Sequence, residues 1–306
     1  MKNKLEDWKT AGEIVAEVFR EISAMIRAKK LVIELCEYIE SRIIKKGAKP
    51  AFPVNVSINS VAAHYTSPPG DKLKIPDKAL VKIDIGVSYN GAIADAAKTF
   101  IVGDRKPLFS IIRANERALM SAIEILRDGV KVREISNRIW KISHEEGYGV
   151  LTDLGGHEIK RNVLHAGLFI PNSPFNVKEN RKIKKGMILA IEPFLVTSAV
   201  DSNTTPLYNA TYIFSLANKR KIGPEGFLSK IYRKYGTLPF ALRWLIRSRN
   251  TNTKYVQKIK RILNNLENKG IIVSYPVLVD SHGFWVSQFE HTVLVKEASA
   301  EILTQC

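Results

Sequence analysis

The chain has 306 residues, 45% of them apolar and 25% charged, with a formal net charge of +17. These values fit an ordinary water-soluble globular protein with a large core, in one domain or two. Two distant cysteines, Cys36 and Cys306, argue against a disulfide framework and for a reducing, cytoplasmic setting. The polar, mixed-charge start Met1–Thr10 is unlike a signal peptide. No run approaches the roughly 18 apolar residues of a membrane span; the run around Leu189–Val200 is broken by Glu192 and Pro193.

The first 47 residues predict two helices. Ile14, Val15, Val18, Ile22, Met25 and Ile26 recur at helical spacing, as do Leu31, Leu35, Ile39 and Ile43, and Gly47 supplies a stop. Loop and strand follow over Ala48–Asn59. Leu80–Val87 alternates, with Val81, Ile83, Ile85 and Val87 on one face and Lys82, Asp84 and Gly86 on the other. Asn90-Gly91 is a strong hairpin signal, and Ala92–Val102 is the returning strand. Two amphipathic helices are expected over Ile111–Leu126 and Val132–Glu146, then strands over Met187–Val196 and Val286–Val295. Between Lys219 and Gly270 there are fourteen Lys or Arg against Glu225 and Glu267. Helical patterning there covers Leu228–Tyr235, Phe240–Arg247 and Tyr255–Leu266. The reading is a basic helical insertion subdomain over 202–271, inside a discontinuous, strand-rich domain formed by 1–201 and 272–306. Such a segment either attracts a polyanion, RNA or a ribosome surface foremost, or is a solvated surface without a partner. No internal repeat is legible.

Asp84, Asp95, His157, Glu192 and Glu290, in that order, make up the donor set of a paired-metal hydrolase. If Asn90-Gly91 centres a two-residue turn, Tyr89 opposes Ala92, Gly86 opposes Asp95 and Asp84 opposes Ala97. The two aspartates then share a sheet face as diagonal neighbours, about 7–8 Å apart at the backbone. One added residue would break that parity, and two surface aspartates on a half-exposed hairpin would show the same spacing. Small and apolar neighbours favour pairing or a metal, because an isolated buried charge is costly. Glu192 and Glu290 sit in apolar strands with no Lys or Arg within two residues. Metals are therefore reasonable partners for both. Pro193 marks a sheet edge or bulge.

Six histidines are present. His157 follows Gly155-Gly156, where a sharp turn could aim it. His165 and His64 also sit in or beside loops. Each imidazole can be a ligand, an acid/base or a turn residue. His144 reads as an exposed cation near a helix C-terminus, His282 as a loop residue and His291 as structural.

Ordered together, Ala51-Phe52-Pro53-Val54-Asn55, Ala63-His64-Tyr65-Thr66, Ile83-Asp84-Ile85-Gly86, Ala94-Asp95, Gly156-His157, Leu164-His165-Ala166-Gly167, Ile191-Glu192-Pro193-Phe194 and Gln288-Phe289-Glu290-His291-Thr292 resemble the type 2 methionine aminopeptidases, in their archaeal form with a short N-terminus. The resemblance spans nearly the whole chain. It implies an α+β, pita-bread (creatinase/aminopeptidase) fold of two pseudo-symmetric α/β halves, with the basic segment as the family's helical insertion. It also implies an enzyme that hydrolyses N-terminal methionine from nascent peptides with a hydroxide bridging two divalent ions (Co, Mn, Fe or Zn). Asp84, Asp95, His157, Glu192 and Glu290 would bind the metals, with Glu192 also moving a proton. His64 and His165 would contact the scissile amide and Phe52 would line the methionine pocket. Ser67 before Pro68-Pro69 departs from the family pattern, and a slightly altered loop rim is expected. A cytoplasmic monomer is expected, with no membrane and with the ribosome or its RNA as a partner of the insertion. An X-Pro peptidase of the same fold and a non-enzymatic RNA or ribosome binder are the competing readings; the second would have lost ligands that are all present here.

Overall fold

The computed structural model describes residues 2–104, 106–178, 180–217, 222–246 and 253–305. Cys306, Lys219 and Arg247, named above, lie outside them. The order begins α1 (Lys2–Ile22), α2 (Val32–Lys45), β1 (Lys49–Pro50), β2 (Asn55–Ile58), β3 (Val61–Ala63), β4 (Ala79–Tyr89) and β5 (Ala92–Val102). It continues with α3 (Phe109–Glu124), α4 (Val132–Glu145), β6 (Gly149–Val150), β7 (Gly155–Ile159), β8 (Phe169–Pro171), β9 (Ile188–Ile191), β10 (Phe194–Val196) and β11 (Thr204–Leu216). The rest is α5 (Phe227–Tyr235), β12 (Phe240–Ala241), α6 (Leu242–Leu245), α7 (Thr253–Asn268), β13 (Ile272–Asp280), β14 (Val286–Gln288), β15 (His291–Val295) and β16 (Ala300–Ile302).

Two halves repeat one plan. In the first, the buried stripe of α2 (Val32, Leu35, Cys36, Ile39, Ile43) and that of α1 close over the apolar face of β4. In the second, α3 and α4 pack together over β9, β10 and β14. The repeat has an offset of 100 residues: Val32–Lys45 and Val132–Glu145 are helices of equal length, Gly47 and Gly147 follow with φ +79° and +85°, and Lys49–Pro50 and Gly149–Val150 are two-residue strands. Positions 32, 35, 36, 39 and 43 are buried in one copy, and 132, 135, 136, 139 and 143 in the other. The sequence hides this because the repeat conserves burial and the positive-φ glycine stop, while most side chains differ.

Three expected elements change. Met187–Val196 is two strands, since β9 pairs with β7 and β15 while β10 pairs with β6 and β14. Val286–Val295 divides in the same way. Phe240 and Ala241 pair with Phe214 and Ile213, so the helix expected from Phe240 begins only at Leu242. Nothing in the polar, proline-interrupted start of β11 announces a strand, yet it pairs along most of β13. Helices α5 and α7 cover that sheet with their own apolar cluster, centred on Ile231, Ile259 and Leu263.

Candidate metal centre

The β4–β5 hairpin has the register that the parity argument required: Tyr89↔Ala92, Gly86↔Asp95, Asp84↔Ala97. Asn90 (φ +49°) and Gly91 (φ +83°) both occupy the left-handed region, as a type I′ turn demands. Val81, Ile83, Ile85 and Val87 all lie in the core of the first half. Asp84 and Asp95 therefore project from the opposite face, towards the second half. Gly86 lies on that face too, where a Cβ would come within 2.2 Å of the Phe52 ring. The glycine makes room for Phe52 beside the carboxylates.

The interruptions in β9–β10 and β14–β15 face each other. Phe194 pairs with Gln288 on one side and Ile191 with His291 on the other. The register is the same across the gap, which sets Glu192 opposite Glu290. At this point the pair passes from one sheet to the next, and Pro193 has no N–H to continue the ladder. His157 enters from β7, paired with Ala190. Gly155 and Gly156 do not form the expected turn, since both lie in β7. Close approach explains Gly156 instead, because a Cβ there would lie 2.2 Å from the carbonyl oxygen of Ala190.

These side chains line one cavity of about 260 Å³, together with Phe52, His64 and His165. Ligand atoms of Asp95, His157 and Glu290 all lie within 4.8 Å of one another. His157 Nε2 is 3.6 Å from Asp95 Oδ2 and 3.7 Å from Glu192 Oε1. Buried oxygens Asp84 Oδ1, Asp95 Oδ1 and Glu290 Oε1 have no hydrogen-bond partner. Burial first, and neighbouring carboxylates second, push Asp84, Glu192 and Glu290 well above the ordinary carboxylate range. Burial pushes Asp95 up to about 8. Four carboxylates crowded away from water need cations to stay ionised. Hard oxygen donors with one imidazole, and oxygens aimed at nothing else, fit divalent ions.

The histidines beside the carboxylates are neutral. Burial lowers His64 and His157 to about 4, and burial with the nearby His157 lowers His165 to about 3. The rings of His157 and His165 meet edge to face, with centroids 4.3 Å apart. His64 Nδ1 lies 3.1 Å from the carbonyl of Pro276. A carbonyl only accepts, so Nδ1 carries the proton and Nε2 is left as an acceptor. Elsewhere, His144 is half-buried, its ring tilted 31° against that of Trp140 one turn earlier on α4, and it lies 3.3 Å from Asp201, so the helix end does not stand free. His282 is a loop residue stacked on Phe284, and His291 lies 3.0 Å from Thr304 Oγ1.

Several residues that position the site escaped the sequence reading. Thr292 Oγ1 accepts from the backbone N–H of Asp95 (2.7 Å) and donates to its carbonyl (2.8 Å). Thr99 Oγ1 does the same for Gln288, at 2.8 and 2.6 Å. Between them the N–H of Glu290 donates to Ala97 O at 2.9 Å. Two reciprocal threonines thus fasten the halves on either side of the carboxylates. Gln288 Nε2 donates to Glu192 Oε2 at 3.3 Å. The buried ammonium of Lys82 donates to the carbonyls of Asn59 (2.8 Å) and Val286 (2.9 Å). No local pattern marks these residues, because each acts on a backbone far away in sequence; the alternating strand had only set Lys82 on the Asp84 face.

The model of metallopeptidase family M24 matches residues 6–297. A crystal structure of methionine aminopeptidase from Thermotoga maritima superposes with a TM-score of 0.71 at 23% identity, covering 100% of this chain and 98% of that one. The architecture is the pita-bread fold, and the chain belongs to metallopeptidase family M24. Among its relatives are the methionine aminopeptidase of Methanothermobacter thermautotrophicus, 39% identical over 100% of both chains, and that of Pyrococcus abyssi, 38% identical over 96% of this chain and 97% of that protein. Within the family the chain stands among the methionine aminopeptidases.

Proposed function

We propose that the protein removes methionine from the N-terminus of nascent proteins as a metal-dependent aminopeptidase. The convergence of four carboxylates and one imidazole on a single, partly apolar cavity carries this reading. Asp84, Asp95, His157, Glu192 and Glu290 would hold two divalent ions, and Co, Mn, Fe and Zn all suit such donors. Bound there, the ions supply Lewis acidity and a water ionised near neutral pH.

The chain supplies the rest. Phe52, Leu164, Phe169 and Phe194 line the cavity and give the unbranched thioether an apolar wall that rejects charged side chains. Neutral His64 presents its Nε2 lone pair to an N–H of the substrate beside the scissile bond. Neutral His165 donates an N–H to the oxygen that gains charge in the transition state. Glu192, opposite Glu290 and oriented by Gln288, carries the proton from water to the leaving amine.

Metal-free protein reconstituted with individual divalent ions should cleave a Met-Ala peptide and leave an Ala-Pro peptide intact. Asp84→Ala or Glu290→Ala should abolish turnover and reduce metal content with the fold intact; full activity in either variant refutes the assignment. The basic segment 202–271 is read as an insertion subdomain that brings a monomeric, cytoplasmic enzyme to ribosomal RNA. Removing several lysines between Lys219 and Lys269 should then weaken ribosome binding in low salt, and unchanged binding rejects that role.

A further inference from the structure

We propose that Arg243 is a positioning residue through which the segment after β11 holds the substrate-side wall of the cavity. Its kinetic consequence rests on the aminopeptidase reading.

Arg243, on α6, is only 7% exposed, as is its partner Glu40 on α2. One guanidinium nitrogen pairs with Glu40 Oε1. Trp244 Nε1–H donates to Glu40 Oε2 at 2.8 Å. The same Glu40 Oε1 accepts the backbone N–H of Val54 at 3.3 Å. Val54 lies between Phe52 and Asn55, which both line the cavity. The other terminal guanidinium nitrogen donates to Thr66 Oγ1 and, at 3.3 Å, to the carbonyl of Ser67. These residues follow His64, whose φ of +65° is unusual for a side chain with a Cβ and must be held by its surroundings. The N–H of Val56, on β2 just after the first loop, donates to Tyr65 O at 2.8 Å and ties that strand to the second loop.

The planar fork of Arg243 therefore reaches both loops: 64–67 directly, and 52–54 through Glu40. Arginine suits such a task because its donors are fixed in one plane. A buried ion pair is a poor choice for stability alone, since apolar replacements of similar volume often do as well or better. Specifying where two loops lie is what this pair adds. Asn55, the first residue of β2 directly after the tethered loop, is paired with Asp84 across β2 and β4, so the wall is set against the carboxylates.

The test uses the full chain and two variants. Arg243→Ala removes the fork. Glu40→Gln/Arg243→Met removes it without leaving a buried charge unpaired, and decides the matter if Arg243→Ala does not fold. Hydrogen exchange at Val54 and Val56 should quicken about tenfold or more, with the β4–β5 amides unchanged. Metal content should match the parent, while kcat/KM on a Met-Ala peptide falls about tenfold or more. A folded double variant that keeps parental exchange at Val54 and Val56, or kcat/KM within about twofold, overturns the proposal. A parent inactive on Met-Ala with every metal would instead overturn the aminopeptidase reading, and the exchange result would still decide the role of Arg243.

Discussion

Replacing Thr292 by valine nearly keeps the shape of a fully buried side chain and removes one hydroxyl. That hydroxyl serves both backbone groups of Asp95. Gly86, which faces Asp95 across the hairpin, turns its carbonyl to the N–H of Ala51 at 2.9 Å. The backbone groups of Asp95 accordingly point away from β4, onto Thr292. The variant loses two hydrogen bonds and leaves an N–H and a carbonyl dry, for a combined cost of about 2–5 kcal/mol. Urea unfolding of the metal-free protein should show the midpoint falling by about 1 M with an unchanged slope. Thr292→Ser should recover much of the loss, and metal affinity should follow the same order. A valine variant within about 0.5 kcal/mol of the parent, with the Asp95 amide still protected from exchange, would refute the claim that this hydroxyl holds Asp95 in place.

Further outcomes follow from the same geometry. Gly91→Ala forces a Cβ into a φ of +83° and to 2.6 Å from Asn162 Oδ1, which should cost about 1–2 kcal/mol in thermal unfolding; no loss would contradict the turn. Arg42 and Lys46 hold Glu21 at about 2. Its folded value lies below its unfolded one, so its stabilising effect is present above the usual carboxylate range and fades as pH falls towards 2. Glu21→Gln should flatten that part of the pH–stability curve, and superimposable curves would remove the pair's role. Adding Mn or Co to metal-free protein should raise the melting temperature at neutral pH and much less in acid, where protons compete for the ligands. Equal melting temperatures at neutral pH with and without the ions would speak against the centre.

Local rules made half of the site readable. Asn90-Gly91 fixes the turn, the turn fixes the parity, and the parity brings Asp84 and Asp95 to one face. Glu192 and Glu290 stood out as charges in apolar strands, but their interruption was not foreseen, because Pro193 marks only one side of it. Which strands they face depends on pairing across the chain, and no local pattern encodes that. The same holds for Thr99, Thr292 and Arg243, whose partners lie far along the sequence. The 100-residue repeat was invisible because Val, Glu, Ile and Gly recur at positions 32, 34, 39 and 47 of the first copy while most others have changed.

The fastening of Asp95, Ala97 and Thr99 to Gln288–Thr292 also bears on how the chain is made. Synthesis delivers β5 long before its partner, so the outer side of a long apolar hairpin waits with bare backbone groups until the last strands emerge. Such an edge invites pairing with other chains. A chain cut short before Val286 would keep Asp84 and Asp95 and still present that edge. Completion of the metal site and closure of that strand edge are therefore one event.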